Sequence, residues 1–92
     1  MSDKIMTLHP QGKTGVNIDK GKYDTVKDAI VNIIDTHGEI GFADLTQEVG
    51  TTLTEFDGSI GWYTTTVKLD LEARGIIERV PKSSPQQLRM KS

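Results

Sequence analysis

Between Ser59 and Met90 the hydrophobic period changes once, at Gly75, and that change restricts the fold more than anything else in the chain. Upstream, Tyr63, Val67 and Leu71 recur every four residues, while Trp62, Thr66, Leu69 and Ala73 follow at four, three and four. Both series are helical and lie on adjacent faces, so together they make a stripe wider than a surface helix needs. This helix is therefore expected to be central. Ser59 is placed to accept a backbone N–H at its start. Gly75 falls where a left-handed C-terminal cap belongs, and Arg74 suits the negative end of the helix dipole. Downstream, Ile76-Ile77-Glu78-Arg79-Val80 is short and β-branched, and Pro81 to Pro85 is a turn by composition. Gln86, Leu88 and Met90 then alternate with Gln87, Arg89 and Lys91, which completes a predicted β-hairpin.

The rest of the chain supplies what such a unit needs. Residues 1–18 are broken by Pro10, Gly12 and Gly15 and read as a flexible basic arm with a short strand around Val16 to Ile18. Asp19 is the expected cap of a first helix, in which Tyr23, Val26, Ile30, Ile33, Ile34 and His37 share one side and Gly38 marks the stop. Its β-branched residues lower its helix propensity, so packing must hold it. Glu39 to Phe42 reads as a short strand with Ile40 and Phe42 on one side. A second helix is expected from about Ala43 to Leu53, on Leu45, Val49 and Leu53, unless Gly50 ends it early. Phe56 is placed to fill the gap before the third helix. The organisation is thus an arm, residues 1–18, and one domain, residues 19–92.

Several functional classes find no support. The 92 residues include no cysteine, which removes disulfide and thiolate chemistry. No apolar run approaches the roughly 20 residues that span a bilayer, and the N-terminal residues lack the apolar core of a signal peptide. A cytoplasmic protein is expected. Gly12-Lys13-Thr14 fails as a phosphate loop because position 7 is Thr rather than Gly. His37 with Glu39 is too small a set for a metal site, and no Ser lies in a nucleophile motif. The reading therefore names no catalytic residue, metal, cofactor or small-molecule ligand, and does not describe an enzyme. The 35% hydrophobic share is low for a domain of this size, which raises homodimerisation as a further expectation.

The charge is unevenly placed. Residues 1–22 hold four Lys against two Asp, and residues 76–92 hold Arg79, Lys82, Arg89 and Lys91 against Glu78. Residues 23–53 hold Lys27 against six acids. Basic ends thus flank an acidic middle, and the net charge is −2.

The order of elements, with Leu71-Glu72-Ala73-Arg74-Gly75-Ile76-Ile77-Glu78-Arg79 at the junction of helix and hairpin, resembles bacterial winged helix-turn-helix transcription regulators. Gly61-Trp62-Tyr63, the run Val67 to Gly75, and Leu88-Arg89 resemble more closely a family of small bacterial proteins of unknown function with an expected winged-helix fold. Gly12-Lys13 and Asp19 to Tyr23 fit that family's arm and helix start. The resemblance implies an α+β winged helix-turn-helix: three helices, a small antiparallel sheet and a C-terminal hairpin wing. It brings no activity or ligand of its own.

Two functions follow as expectations. In a double-stranded DNA-binding regulator the first half of the third helix enters the major groove. Ser59, Thr64, Thr65 and Lys68 would then read bases or phosphates, and Arg79, Lys82 and Arg89 of the wing would contact the backbone. No arginine lies in that half-helix, and Asp57, Asp70 and Glu72 would repel phosphates if they faced the duplex. The alternative is a winged-helix protein-interaction or dimerisation module that does not bind DNA. It rests on Trp62 and Tyr63, two large aromatics that so small a core cannot easily hold together, and such residues concentrate binding energy at interfaces.

Overall fold

The computed structural model describes residues 3–82 and 85–91. In chain order the elements are β1 (Lys4–Met6), β2 (Asn17–Asp19), α1 (Lys20–His37), β3 (Glu39–Gly41), α2 (Phe42–Thr52), α3 (Ile60–Ala73), β4 (Ile77–Arg79) and β5 (Gln87–Met90). This is an α+β domain of three helices and small antiparallel sheets, compatible with a winged-helix-like arrangement. β1 and β2 form one two-stranded sheet, and β3, β5 and β4 form a second in that order.

The helix boundaries follow local chemistry. The Asp19 carboxylate accepts from the Lys22 N–H and caps α1. The N–H of Gly38 closes the other end on Ile34 O. Tyr23, Val26, Ala29, Ile30, Ile33 and Ile34 are buried, so the β-branched residues that weaken the isolated helix are the ones that bury it, at about 1.5–3 kcal/mol for each fully buried large aliphatic side chain. α2 begins one residue earlier than its sequence pattern suggested. Phe42 donates its N–H to Gln86 O and opens the helix instead of ending β3. Gly50 does not stop α2, which continues to Thr52 with Ile60 of α3 close beside it.

α3 starts where Ser59 Oγ accepts from the Trp62 N–H and finishes at Arg74. Gly75 follows at φ 76°, a left-handed conformation that L side chains rarely adopt and that turns the chain into β4 within two residues. Val80 N–H to Gln87 O closes the hairpin from β4 to β5. The turn expected over Pro81 to Pro85 lies partly outside the described residues.

β3 pairs with the hairpin, with Ile40 opposite Leu88. Both side chains face the core. On the other face Glu39 and Glu78 each stand opposite Arg89. Their carboxylates lie 3.9 and 2.7 Å from its guanidinium. The core joins the buried faces of α1, Leu45 and Val49 of α2, Val67 and Leu71 of α3, and Ile40, Ile77 and Leu88 of the sheet.

The segment read as a flexible arm is a hairpin held against the helices. Lys4, Ile5 and Met6 pair with Asp19, Ile18 and Asn17, and Thr7 N–H reaches Val16 O. Ile18 is in the core and Ile5 packs against it. Sequence pattern missed β1 because three residues are too few to show a period.

Candidate functional site on helix α3

α3 is unusual in what it turns inward. Thr64, Val67, Lys68, Asp70 and Leu71 are its buried residues, while Trp62 is 47% exposed. Three of the five buried side chains are polar or charged, and each finds its own local solution.

Asp70 is fully buried and gathers three donors from three parts of the chain. Its carboxylate accepts from the Tyr23 hydroxyl of α1, from the Leu8 N–H of the hairpin at 2.8 Å, and from Arg74 Nε one turn further along α3 at 2.9 Å. Burial, and then the bond to Asp70, pushes the Tyr23 hydroxyl up to about 12. Its own hydrogen bond to Asp70 raises Arg74 above its ordinary value. Asp70 thus ties hairpin, α1 and α3 at one atom pair. In sequence it reads only as a charge that would repel phosphates at a duplex, yet it stands three residues after Val67, on the buried side, with an arginine at i+4.

Lys68 is 6% exposed. Its ammonium lies 3.1 Å from Glu72 and 5.3 Å from the centre of the Phe42 ring. Thr64 is fully buried, and its hydroxyl makes no hydrogen bond among the described residues. The expectation that Thr64 and Lys68 are surplus to the core and free to face a groove is therefore corrected: i+4 pairing with Glu72 and the Phe42 ring neutralise and cover the lysine, and threonine here fills space.

The remaining expected contact residues are scattered. Ser59 is exposed but its hydroxyl caps the helix. Thr65 is exposed and donates to Gly61 O. Arg89 is held between Glu78 and Glu39. Arg79 and Lys82 are exposed at the far end of the β4–β5 hairpin, with Lys82 at φ 61°. Seven residues expected on one face thus divide among a buried side, a helix cap, one exposed helix position at Thr65, a neutralised sheet face and a hairpin tip.

The two aromatics separate as well. Tyr63 is half-buried, with its ring 5.0 Å from Phe56 and 4.9 Å from Trp62, both edge to face. Lys22 Nζ lies 5.8 Å from the Tyr63 ring centre and 3.8 Å from Asp57. Trp62 begins an outward stripe that continues one turn on through Thr66 and then Leu69. Thr66 and Leu69 form one wall of a depression of about 100 Å³, whose other wall is the hairpin, with Thr7, Leu8, His9, Thr14, Gly15 and Val16. Leu8 and Val16 are 44% and 39% exposed. Sequence reasoning did not find Leu8 and Val16, because only the folded hairpin brings them to α3.

Two larger depressions are more polar. One, of about 600 Å³, lies between the start of α1 and the α2–α3 loop, lined by Asp19, Lys22, Thr25, Glu55, Phe56 and Asp57 among others. The other, of about 420 Å³, contains His37, Glu39, Asp44 and Glu48. His37 Nε2 there lies 2.9 Å from Glu48. Among the described residues no group of three or more His, Cys, Asp or Glu is arranged to hold a metal ion, and no helix is long and apolar enough to cross a membrane.

These features define a small α+β, winged-helix-like domain with an N-terminal hairpin locked to its third helix and an apolar stripe left open beside it. The chain belongs to the family of unknown function DUF6958, whose model matches residues 4–88. The match runs from the first residue of β1 into β5, so the hairpin is part of the family's domain. No curated protein matches the chain.

Proposed function

We propose that this protein is a winged-helix-like protein-interaction module, and that the outer stripe of α3 is its contact surface. The single observation that carries the reading is the inversion of α3: Lys68 and Asp70 are inside the domain while Trp62 is outside it. A large aromatic left half in water beside further exposed apolar groups is a recurring feature of interface hot spots. The stripe is apolar and uncharged, and cations suited to a phosphate backbone are absent from it. Lys68 is paired inside, and Arg89 is paired on the sheet.

A second reading is a DNA-binding, regulator-like role. It is favoured by Arg79 and Lys82, exposed together at the hairpin tip, where they suit phosphate contacts. Fluorescence anisotropy of labelled duplex DNA at low and moderate salt separates the two. The interaction reading expects no binding that steepens at low salt. Salt-sensitive binding that is lost in Arg79→Ala/Lys82→Ala and kept in Trp62→Ala would refute it and favour DNA.

A further inference from the structure

We propose that the occupant of the α3 stripe is a second copy of this chain, docked about a two-fold axis that passes close to Thr66. The inference rests on the interaction reading above and assigns its partner.

The argument starts from shape. An isologous contact requires a surface complementary to itself, with any projection and its receiving hollow on the same face. Trp62 is the projection. The hollow is the depression between Leu69, Thr66, Leu8 and Val16. From Trp62 to Leu69 is seven residues, or about 10 Å along the axis, and Thr66 lies near the midpoint. Two α3 helices crossing antiparallel at Thr66 would each place Trp62 at the hollow of the other. Thr66 is short enough to let the helices approach closely there.

Charge supports the antiparallel arrangement. The depression is lined by no Asp, Glu, Lys or Arg, so self-docking opposes no like charges at its centre. The turn leading into α3, at the Trp62 end, carries Glu55 and Asp57, and the hairpin loop beside the hollow carries Lys13. An antiparallel crossing brings the acidic turn of one copy toward the basic loop of the other. A parallel one would bring like ends together.

Area sets the strength. Trp62, Leu8 and Val16 leave 47%, 44% and 39% of their surfaces in water, on the order of 300 Å² of apolar surface with the half-buried Leu69. That is the centre of an interface but less than the roughly 800 Å² per partner of a standard one. Rim groups such as Thr65, Ala73 and Thr14 must contribute, and a dissociation constant of about micromolar order is expected.

The test is sedimentation velocity of the full chain from about 5 to 500 µM, with Trp62→Ala and Thr66→Cys variants. Trp62 is 47% exposed, so its removal should leave the fold intact, as read by an unchanged circular dichroism spectrum. It should raise the dimer dissociation constant at least ~30-fold. The native chain has no cysteine, so Thr66→Cys reports one position. Helix axes about 8–10 Å apart, less two radii of about 2.3 Å, leave facing Cα atoms about 3.4–5.4 Å apart, which overlaps the about 4.4–6.8 Å range of a disulfide. Mild oxidation should convert Thr66→Cys to a covalent dimer and leave Thr36→Cys, on the exposed side of α1, monomeric. A dimer that survives Trp62→Ala without Thr66→Cys cross-linking would overturn the proposal. So would a chain that stays monomeric at every concentration. In that case, retention of other cellular proteins by wild type and not by Trp62→Ala would keep the interaction reading while removing the second copy as partner. No such retention would remove both.

Discussion

Replacing Asp70 by alanine should be among the most damaging single changes in this chain, although Asp70 touches no ligand. The substitution deletes the acceptor for the Tyr23 hydroxyl, the Leu8 N–H and the Arg74 guanidinium together. The buried Tyr23 hydroxyl left without a partner is worth about 1–3 kcal/mol, and the part-buried Leu8 N–H adds less. Breaking a buried charge pair from one side usually destabilises by about 3–5 kcal/mol. The Arg74 side chain is 34% exposed and can turn to water, which holds the total near about 3–5 kcal/mol rather than the sum. Asp70→Asn keeps an acceptor oxygen and should lose roughly half of that. Urea unfolding followed by circular dichroism reads this directly. With a slope of about 1–2 kcal/mol per molar urea, the alanine midpoint should fall by at least ~1.5 M. Amide exchange at Leu8 should accelerate in both variants, because its N–H donates to the Asp70 carboxylate. A loss below about 1 kcal/mol, with Leu8 as protected as before, would refute the view that this carboxylate fastens the hairpin to the helices.

Three further outcomes are expected. Tyr23 sits at about 12 in the folded protein against an unfolded value of about 10. Between those pH values the unfolded chain binds fewer protons, so the contribution of Tyr23 is complete below pH ~10 and disappears as pH rises through ~12. Tyr23→Phe should flatten that part of the stability–pH curve, as read by urea melts across it, and an unchanged curve would count against the assignment. Lys68→Ala should destabilise by about 3 kcal/mol by leaving Glu72 almost buried without its partner, and the double variant Lys68→Met/Glu72→Leu should recover most of it, since apolar pairs often replace buried ion pairs without loss; thermal unfolding of the two variants against wild type decides this. Gly15→Ala should open the N-terminal hairpin at about 1–3 kcal/mol, because a Cβ there would stand 1.7 Å from Thr7 O; faster exchange at the Thr7 amide, which donates to Val16 O, is the readout.

The elements that sequence foretold best are those with a stop and a cap at each end. Asp19 and Gly38 bound α1, and Ser59 and Gly75 bound α3, because a side-chain acceptor and a positive-φ residue act within one turn of where they stand. The inward positions of β3 and β5 were legible because Ile40 and Leu88 belong to short alternating runs, while their pairing was implied only by the winged-helix resemblance. The hairpin of β1 and β2 was half legible. Val16 to Ile18 has strand character, but its partner Lys4–Met6 is recognisable only through the cross-strand bonds that fix it. No local pattern encodes that Leu8 N–H will meet Asp70, 62 residues away.

The candidate site was legible in its residues and not in its orientation. Periodicity places Trp62, Thr66, Leu69 and Ala73 on one stripe and Tyr63, Val67 and Leu71 on the next, and it is silent on which stripe the domain covers. Hydrophobicity alone would bury the tryptophan and expose the lysine. What reverses this is pairing at i+4: Lys68 with Glu72, and Asp70 with Arg74, make two charged residues fit to be buried. Once those pairs are inside, α3 has spent its inner face on groups that are satisfied only in this fold, and its remaining apolar stripe faces out between the hairpin and the aromatic cluster. A helix that is apolar on two sides is ordinarily covered on both, and on the proposed reading the side left open beside Leu69 is where the second copy docks.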